Sequence, residues 1–188
     1  MNKVMKALAA IILMTAAVLA AGCNKENNDS DVRVTTYTPE GYGDYFAWGE
    51  TQPKDYYDWS TYRWCNGDYD QLTKYCTISG YGYNGFTDNL TTLLPEDDAA
   101  TASWGDGWRM PTQAERQELS NNTTKAWTTQ NGVNGRLFTA SNGNSLFLPA
   151  AGCRWVGELY NAGGDGGYWS GSHGSALPNP ARQILLGS

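Results

Sequence analysis

Trp104-Gly-Asp-Gly-Trp-Arg-Met-Pro-Thr-Gln-Ala-Glu-Arg-Gln-Glu-Leu119 decides the reading of the fold, because an aromatic, glycine-broken entry runs straight into a short helix. Thr112 is a good N-cap, and Glu115 lies three residues on, so each can satisfy an orphan backbone donor of the other as a capping box. Ala114 and Leu119 offer a short apolar edge among polar neighbours, which suits a surface helix packed on one side. Asn121 and Asn122 end it.

Upstream, Pro95-Glu96-Asp97-Asp98-Ala99-Ala100 reads as the first turn of a second short helix, with proline and acidic residues at its positive end. A calcium site built from Glu96, Asp97 and Asp98 is the weaker alternative, since no Asp-x-Asp-x-Asp-Gly loop is present. Downstream, Ala126–Thr129, Arg136–Ala140 and Ser145–Leu148 are separated by the turns Asn131-Gly132-Val133-Asn134-Gly135 and Asn142-Gly143, and read as a three-strand meander. The glycine run 163–167 lacks the strand-before, helix-after context of a phosphate loop, and is expected to be a flexible turn leading into Tyr168-Trp169-Ser170.

The 188 residues leave room for one domain. Charged residues are sparse at 17%, against 8 Trp, 12 Tyr and 22 Gly, so the chain should be a loop-rich α+β domain with a core of large rings. From Gly41 to Tyr83 aromatics recur without helical period and are broken by Gly, Asp, Asn and Pro. Rings there could stack sugars, but each buries a large area and core is the expected role of any one of them. The candidate ligand-contact rings are Trp59, Trp64, Trp155 and Tyr160. The net charge is −6, and taking Lys3 and Lys6 from the 13 Lys+Arg leaves 11 against 19 Asp+Glu, or −8. An acidic chain without a basic run has no electrostatic route to nucleic acid.

Residues 1–22 carry Lys3 and Lys6, an apolar run from Ala7 to Ala21, and the ending Leu19-Ala20-Ala21-Gly22 before Cys23. That is a secretory signal with the small-residue ending of bacterial lipoproteins, in which Cys23 is acylated and becomes the new N-terminus. Several acyl chains give stable anchoring to a membrane. Residues 23–38 form a polar tether and 39–188 the domain. Outside the cytosol, Cys65 and Cys76 can close a short loop with a disulfide contributing about 3 kcal/mol. Cys153 is then left as a free, buried thiol. No metal or other cofactor is implied.

Gly107-Trp108-Arg109-Met110-Pro111-Thr112, preceded by Asp97-Asp98-Ala99-Ala100 and followed by Phe147-Leu148-Pro149-Ala150-Ala151-Gly152 and Tyr168-Trp169-Ser170, resembles the Fibrobacter succinogenes major paralogous domain family. Gly43-Asp44-Tyr45-Phe46-Ala47-Trp48-Gly49-Glu50-Thr51 and Leu72-Thr73-Lys74-Tyr75 are similar to the same family. The resemblance implies a C-type-lectin-like fold related to the formylglycine-generating enzymes, with short antiparallel strands and two short helices. It departs at both ends. Asp31–Thr38 lacks the Gly-Leu-Ser and Trp-Ala-Thr type pattern of the family's first strand, and Ile184–Ser188 replaces its Gly-x-Ser-Val-Arg type finish. Both terminal strands are therefore expected to be missing, leaving an exposed sheet edge.

Catalysis is not expected. His173 is the single histidine, no nucleophile-elbow pattern is present, and Cys153 lacks the partner of the reactive cysteine pair that the related enzymes use. Leu177-Pro178-Asn179 has Leu where calcium-dependent lectins carry a carboxylate. The expectation is a non-catalytic, outer-membrane lipoprotein that binds a glycan or protein ligand at the cell surface. The alternative is an assembly partner completed by strand pairing with another chain, with an enzyme a distant third.

Overall fold

The capping box forms as expected. The Thr112 hydroxyl accepts from Glu115 N at 3.2 Å, and the Glu115 carboxylate accepts from Thr112 N at 2.8 Å. Helix α2 (Gln113–Asn121) follows and ends on Asn122. Leu119 is its buried contact, whereas Ala114 faces solvent, so the apolar edge is narrower than the sequence suggests. The computed structural model describes residues 42–173 in full, together with the backbone of Met14–Ala16 and Ala181–Gly187.

The second helix starts later than expected. Pro95–Asp97 make one 3-10 turn, and α1 (Ala99–Trp104) begins only after Asp98, whose carboxylate accepts from Ala100 N and Thr101 N as N-cap. The same carboxylate accepts from Met110 N at 2.8 Å, so Asp98 ties α1 to the segment that enters α2.

The meander is β3 (Thr123–Gln130), β4 (Val133–Ala140) and β5 (Ser145–Pro149), paired antiparallel in that order. A hairpin, β6 (Cys153–Trp155) and β7 (Glu158–Tyr160), precedes β8 (Asp165–His173). Gly166 and Gly167 already belong to β8 and are buried, so the flexible turn expected over 163–167 is confined to the residues before Asp165. Strand β9 (Ala181–Gly187), which the sequence reading did not foresee, pairs antiparallel with β8. Near the other end β1 (Met14–Ala16) pairs in parallel with β2 (Asp44–Phe46). Among the described residues, the sheets besides that pair are antiparallel, and the protein is a small, loop-rich α+β domain with two short helices.

Rings make the core, as the composition implies. One cluster gathers Trp48, Tyr75, Leu93, Ala100, Met110 and Trp169; a second holds Tyr45, Tyr57, Tyr62, Leu72 and Cys76; a third packs Leu119 on Phe138, Leu148 and Tyr168. Their polar atoms find backbone partners, as buried Tyr and Trp require. Trp48 Nε1 donates to Ser170 O at 2.7 Å, and Trp169 Nε1 donates to Phe46 O at 2.8 Å. These reciprocal bonds hold β2 against β8.

Candidate binding surface

Residues 76–88 form a loop whose two ends meet. Asp88 N donates to Cys76 O at 3.1 Å, and the Asp88 carboxylate accepts from Tyr75 N at 2.7 Å and from Cys76 N and Leu90 N, each at 3.1 Å. Compact loops of this length with adjoining ends are Ω-loops, and they are frequently functional. Inside it, Ser79–Tyr81 and Tyr83–Gly85 make two 3-10 turns around Gly82. Leu72 pins the centre, its N–H donating to Tyr81 O and its carbonyl accepting from Tyr83 N, both at 2.8 Å. Gly82 is obligatory by contact, because a Cβ there would stand 1.8 Å from Phe86 O.

The fold of the loop turns large apolar groups outward. Ile78, Tyr83 and Phe86 are 49%, 41% and 37% exposed, and Tyr69 on the adjoining turn is 43% exposed with its ring 6.4 Å from that of Tyr81. Three of these four lie on the one loop, in contrast with the singly scattered large apolar side chains of an ordinary surface. The loop also exposes Ser79, Asn84 and Thr87, so it carries both aromatic faces and hydrogen-bonding side chains.

Below the loop the support is rigid and polar. Tyr75 sits at φ 57, a conformation that costs a bulky side chain energy and persists where the surroundings over-determine it. Its hydroxyl donates to Asp97 Oδ2 at 2.6 Å and accepts from Leu94 N at 3.0 Å, its ring meets Trp48 edge to face at 4.9 Å, and its carbonyl lies 3.0 Å from His173 Nε2. Burial and the neighbouring Asp97 carboxylate push the Tyr75 phenol up. Lys74 Nζ reaches the same Asp97 oxygen at 2.6 Å. His173, the one histidine, is thus a strut of this network.

The rings singled out by the sequence lie elsewhere, and all four are half-buried. Trp59 packs edge to face on Tyr62 at 5.8 Å. Trp64 donates to Gly49 O at 2.7 Å, and Arg63 and Lys74 each lie 4.5 Å from its ring centroid. Trp155 and Tyr160 are on β6 and β7, where the register places them on one face of the hairpin. Its turn holds Val156 at φ 62, strained for a β-branched residue, with Gly157 N donating to Trp155 O. The exposed set Tyr69, Ile78, Tyr83 and Phe86 was missed. Its signal was the alternation of Gly80, Gly82 and Gly85 with large rings, together with Asp88.

The cysteine expectations need correction. Cys65 and Cys76 are free thiols, not a disulfide. Cys65 Sγ donates to Trp59 O at 2.9 Å and Cys76 Sγ to Ile78 O at 3.1 Å, so each sulfur is spent on its own local carbonyl. Burial pushes both thiols up, away from the reactive thiolate. Cys153, expected free, is disulfide-bonded. Cys23, most of the leader, the tether and Leu177–Asn179 lie outside the described residues.

Among the described residues no group of three His, Cys, Asp or Glu side chains is placed to hold a metal ion, and no helix is long and apolar enough to cross a membrane. The acidic run weighed for calcium is committed to protein partners at Asp97 and Asp98. Compared with protein-family models, curated proteins and solved structures, the chain matches none of them.

Proposed function

We propose that the protein is a non-catalytic, lipid-anchored protein of the cell envelope whose domain, lectin-like and similar to the Fibrobacter succinogenes major paralogous domain, binds a glycan at the cell surface. The observation that carries the reading is the Ω-loop over 76–88, whose ends are tied together by Asp88 and which leaves Tyr83 and Phe86 exposed. A rigid platform loses little conformational entropy on binding, and exposed aromatic faces suit the apolar faces of sugar rings. The leader ending at Gly22-Cys23 supports the anchor, and the acidic composition is consistent with a neutral ligand. A protein ligand is the second reading, since Ile78 and Phe86 add apolar area that sugars do not need.

The test is calorimetric titration of the mature chain with a panel of soluble neutral polysaccharides, repeated on Tyr83→Ala and Phe86→Ala. Loss of a stacking ring should weaken binding about tenfold, equivalent to about 1.4 kcal/mol, without shifting the unfolding midpoint. Binding untouched by both substitutions would remove this loop as the site, and no binding to any member of the panel would remove the glycan reading.

A further inference from the structure

Two tryptophans flank the turn between α1 and α2. Trp104 closes α1, where Gly105 N donates to Thr101 O at 2.8 Å. Trp108 N donates to Gly105 O at 2.9 Å, which makes Asp106 and Gly107 the corner residues of a tight turn, and Thr101 Oγ1 donates to Trp108 O at 2.8 Å. The backbone between the two rings is thereby fixed. Both rings are half-buried against the cluster around Trp48, and they meet each other edge to face at 5.6 Å with 69° between their planes. They make a corner, not a flat platform.

The polar groups of this corner are unspent. Trp48, Trp64 and Trp169 give their indole N–H groups to backbone carbonyls. Those of Trp104 and Trp108 have no hydrogen-bond partner among the described residues, and neither is one of the buried polar atoms left without a partner, so both are open to solvent. Asp106, midway between them in the chain, is exposed, and its carboxylate likewise meets no partner among the described residues. A Cβ added at Gly105 or at Gly107 would find nothing within 4 Å, so the space beside the turn is clear.

We propose that the Trp104–Trp108 corner is a second binding site, which takes a neutral sugar ring. Indole faces suit the apolar face of such a ring, and sugar hydroxyls both donate and accept, which matches one carboxylate and two N–H donors. An ammonium ligand would satisfy the carboxylate and a ring face but leave both N–H groups unmet. An anion would be opposed by Asp106 and by the net charge of −6. The corner shares no residue with the Ω-loop, whose exposed rings are Tyr83 and Phe86, so either site can fail without the other.

The experiment labels the indole nitrogens of the 8 tryptophans with nitrogen-15 and follows their N–H signals by NMR as cellotriose, mannotriose or xylotriose is added. Trp104→Phe and Trp108→Phe each delete one signal and so assign it. Those two signals should move together and saturate with at least one of the three sugars, while the signals of Trp48, Trp64 and Trp169 hold still. Asp106→Ala removes no hydrogen bond among the described residues, so it should weaken this binding at least about tenfold and leave the unfolding midpoint unchanged. Tyr83→Ala should leave the shifts intact, whatever it does to binding at the Ω-loop. Stationary Trp104 and Trp108 signals with all three sugars refute the proposal, as do shifts that survive Asp106→Ala undiminished or vanish in Tyr83→Ala. Shifts raised by choline and by none of the sugars also overturn it, because they mark an ammonium site.

Discussion

Replacing Asp97 with alanine should be among the most damaging single changes in the protein. Asp97 is 2% exposed, and one oxygen receives both the Lys74 ammonium and the Tyr75 hydroxyl at 2.6 Å. A hydrogen bond to a charged group contributes about 1.5–3 kcal/mol, and removing one partner of a buried pair costs about 3–5. Lys74 keeps a side-chain exposure of 21% and lies over the Trp64 and Tyr75 rings, so water and π-faces recover part of that loss. The expected cost is therefore about 3 kcal/mol, a large share of a typical total of about 5–15. Asp97→Asn, which keeps an acceptor but not the charge, should cost about half as much. Tyr75→Phe should cost about 2, because Leu94 N also loses its acceptor. Urea unfolding followed by near-UV circular dichroism gives the differences, with unchanged slope showing that stability alone has moved. In a double-mutant cycle, Asp97→Ala and Tyr75→Phe should couple by at least about 1 kcal/mol. A cost for Asp97→Ala below about 1 kcal/mol, or additivity of the pair, would show that Asp97 does not fix Tyr75.

Gly82→Ala should uncouple the Ω-loop, since its Cβ meets Phe86 O at 1.8 Å; exchange across residues 76–88 should accelerate more than tenfold while the meander stays protected. The Arg109 guanidinium and the Thr112 cap hold Glu115 down at about 2, against an ordinary 4.5. A depressed carboxylate stabilises the fold above its ordinary range, and that stabilisation is lost as pH falls from about 4.5 through about 2. Arg109 is half exposed, so solvent screens the pair and Arg109→Ala should cost about 1 kcal/mol near pH 6 and almost nothing near pH 2; an equal cost at both would reject the linkage.

Much of the fold was legible where one local rule acts alone. Thr112 and Glu115 satisfy each other's donors within four residues, so the start of α2 could be read to the residue. The meander was equally plain, because Asn131-Gly132 and Asn142-Gly143 mark turns between strand-forming runs, although β3 extends to Thr123 and β4 back to Val133. The start of α1 was misplaced because two acidic residues compete for one role. Asp98 caps the helix and reaches Met110 N, while Asp97 turns inward to Lys74 and Tyr75, a choice that depends on partners 12 to 23 residues away. Strand β9 was missed because Ile184-Leu185-Leu186 was compared with a family finish, when its pairing to Gly167 and Tyr168 needs only an extended apolar run.

The proposed binding surface was the least legible part, and the reason is physical. Aromatic residues between 41 and 86 are alike in sequence, and what sorts them is whether a hydroxyl, an indole N–H or a ring edge finds a partner across the chain. Tyr45, Tyr57, Tyr62 and Tyr75 go inside because backbone carbonyls or a carboxylate meet their hydroxyls. Trp64 was one of the candidate ligand-contact rings, but its indole is tied to Gly49 O and two cations lie against its ring. Tyr83 and Phe86 stay outside because Gly82 lets the chain fold back under Phe86 O while Asp88 ties the two loop ends together. That tie is a carboxylate meeting backbone amides 12 and 13 residues earlier, and no window short enough to show periodicity contains it. The residues that decide the shape of this loop are therefore Gly82 and Asp88, more than the rings it displays.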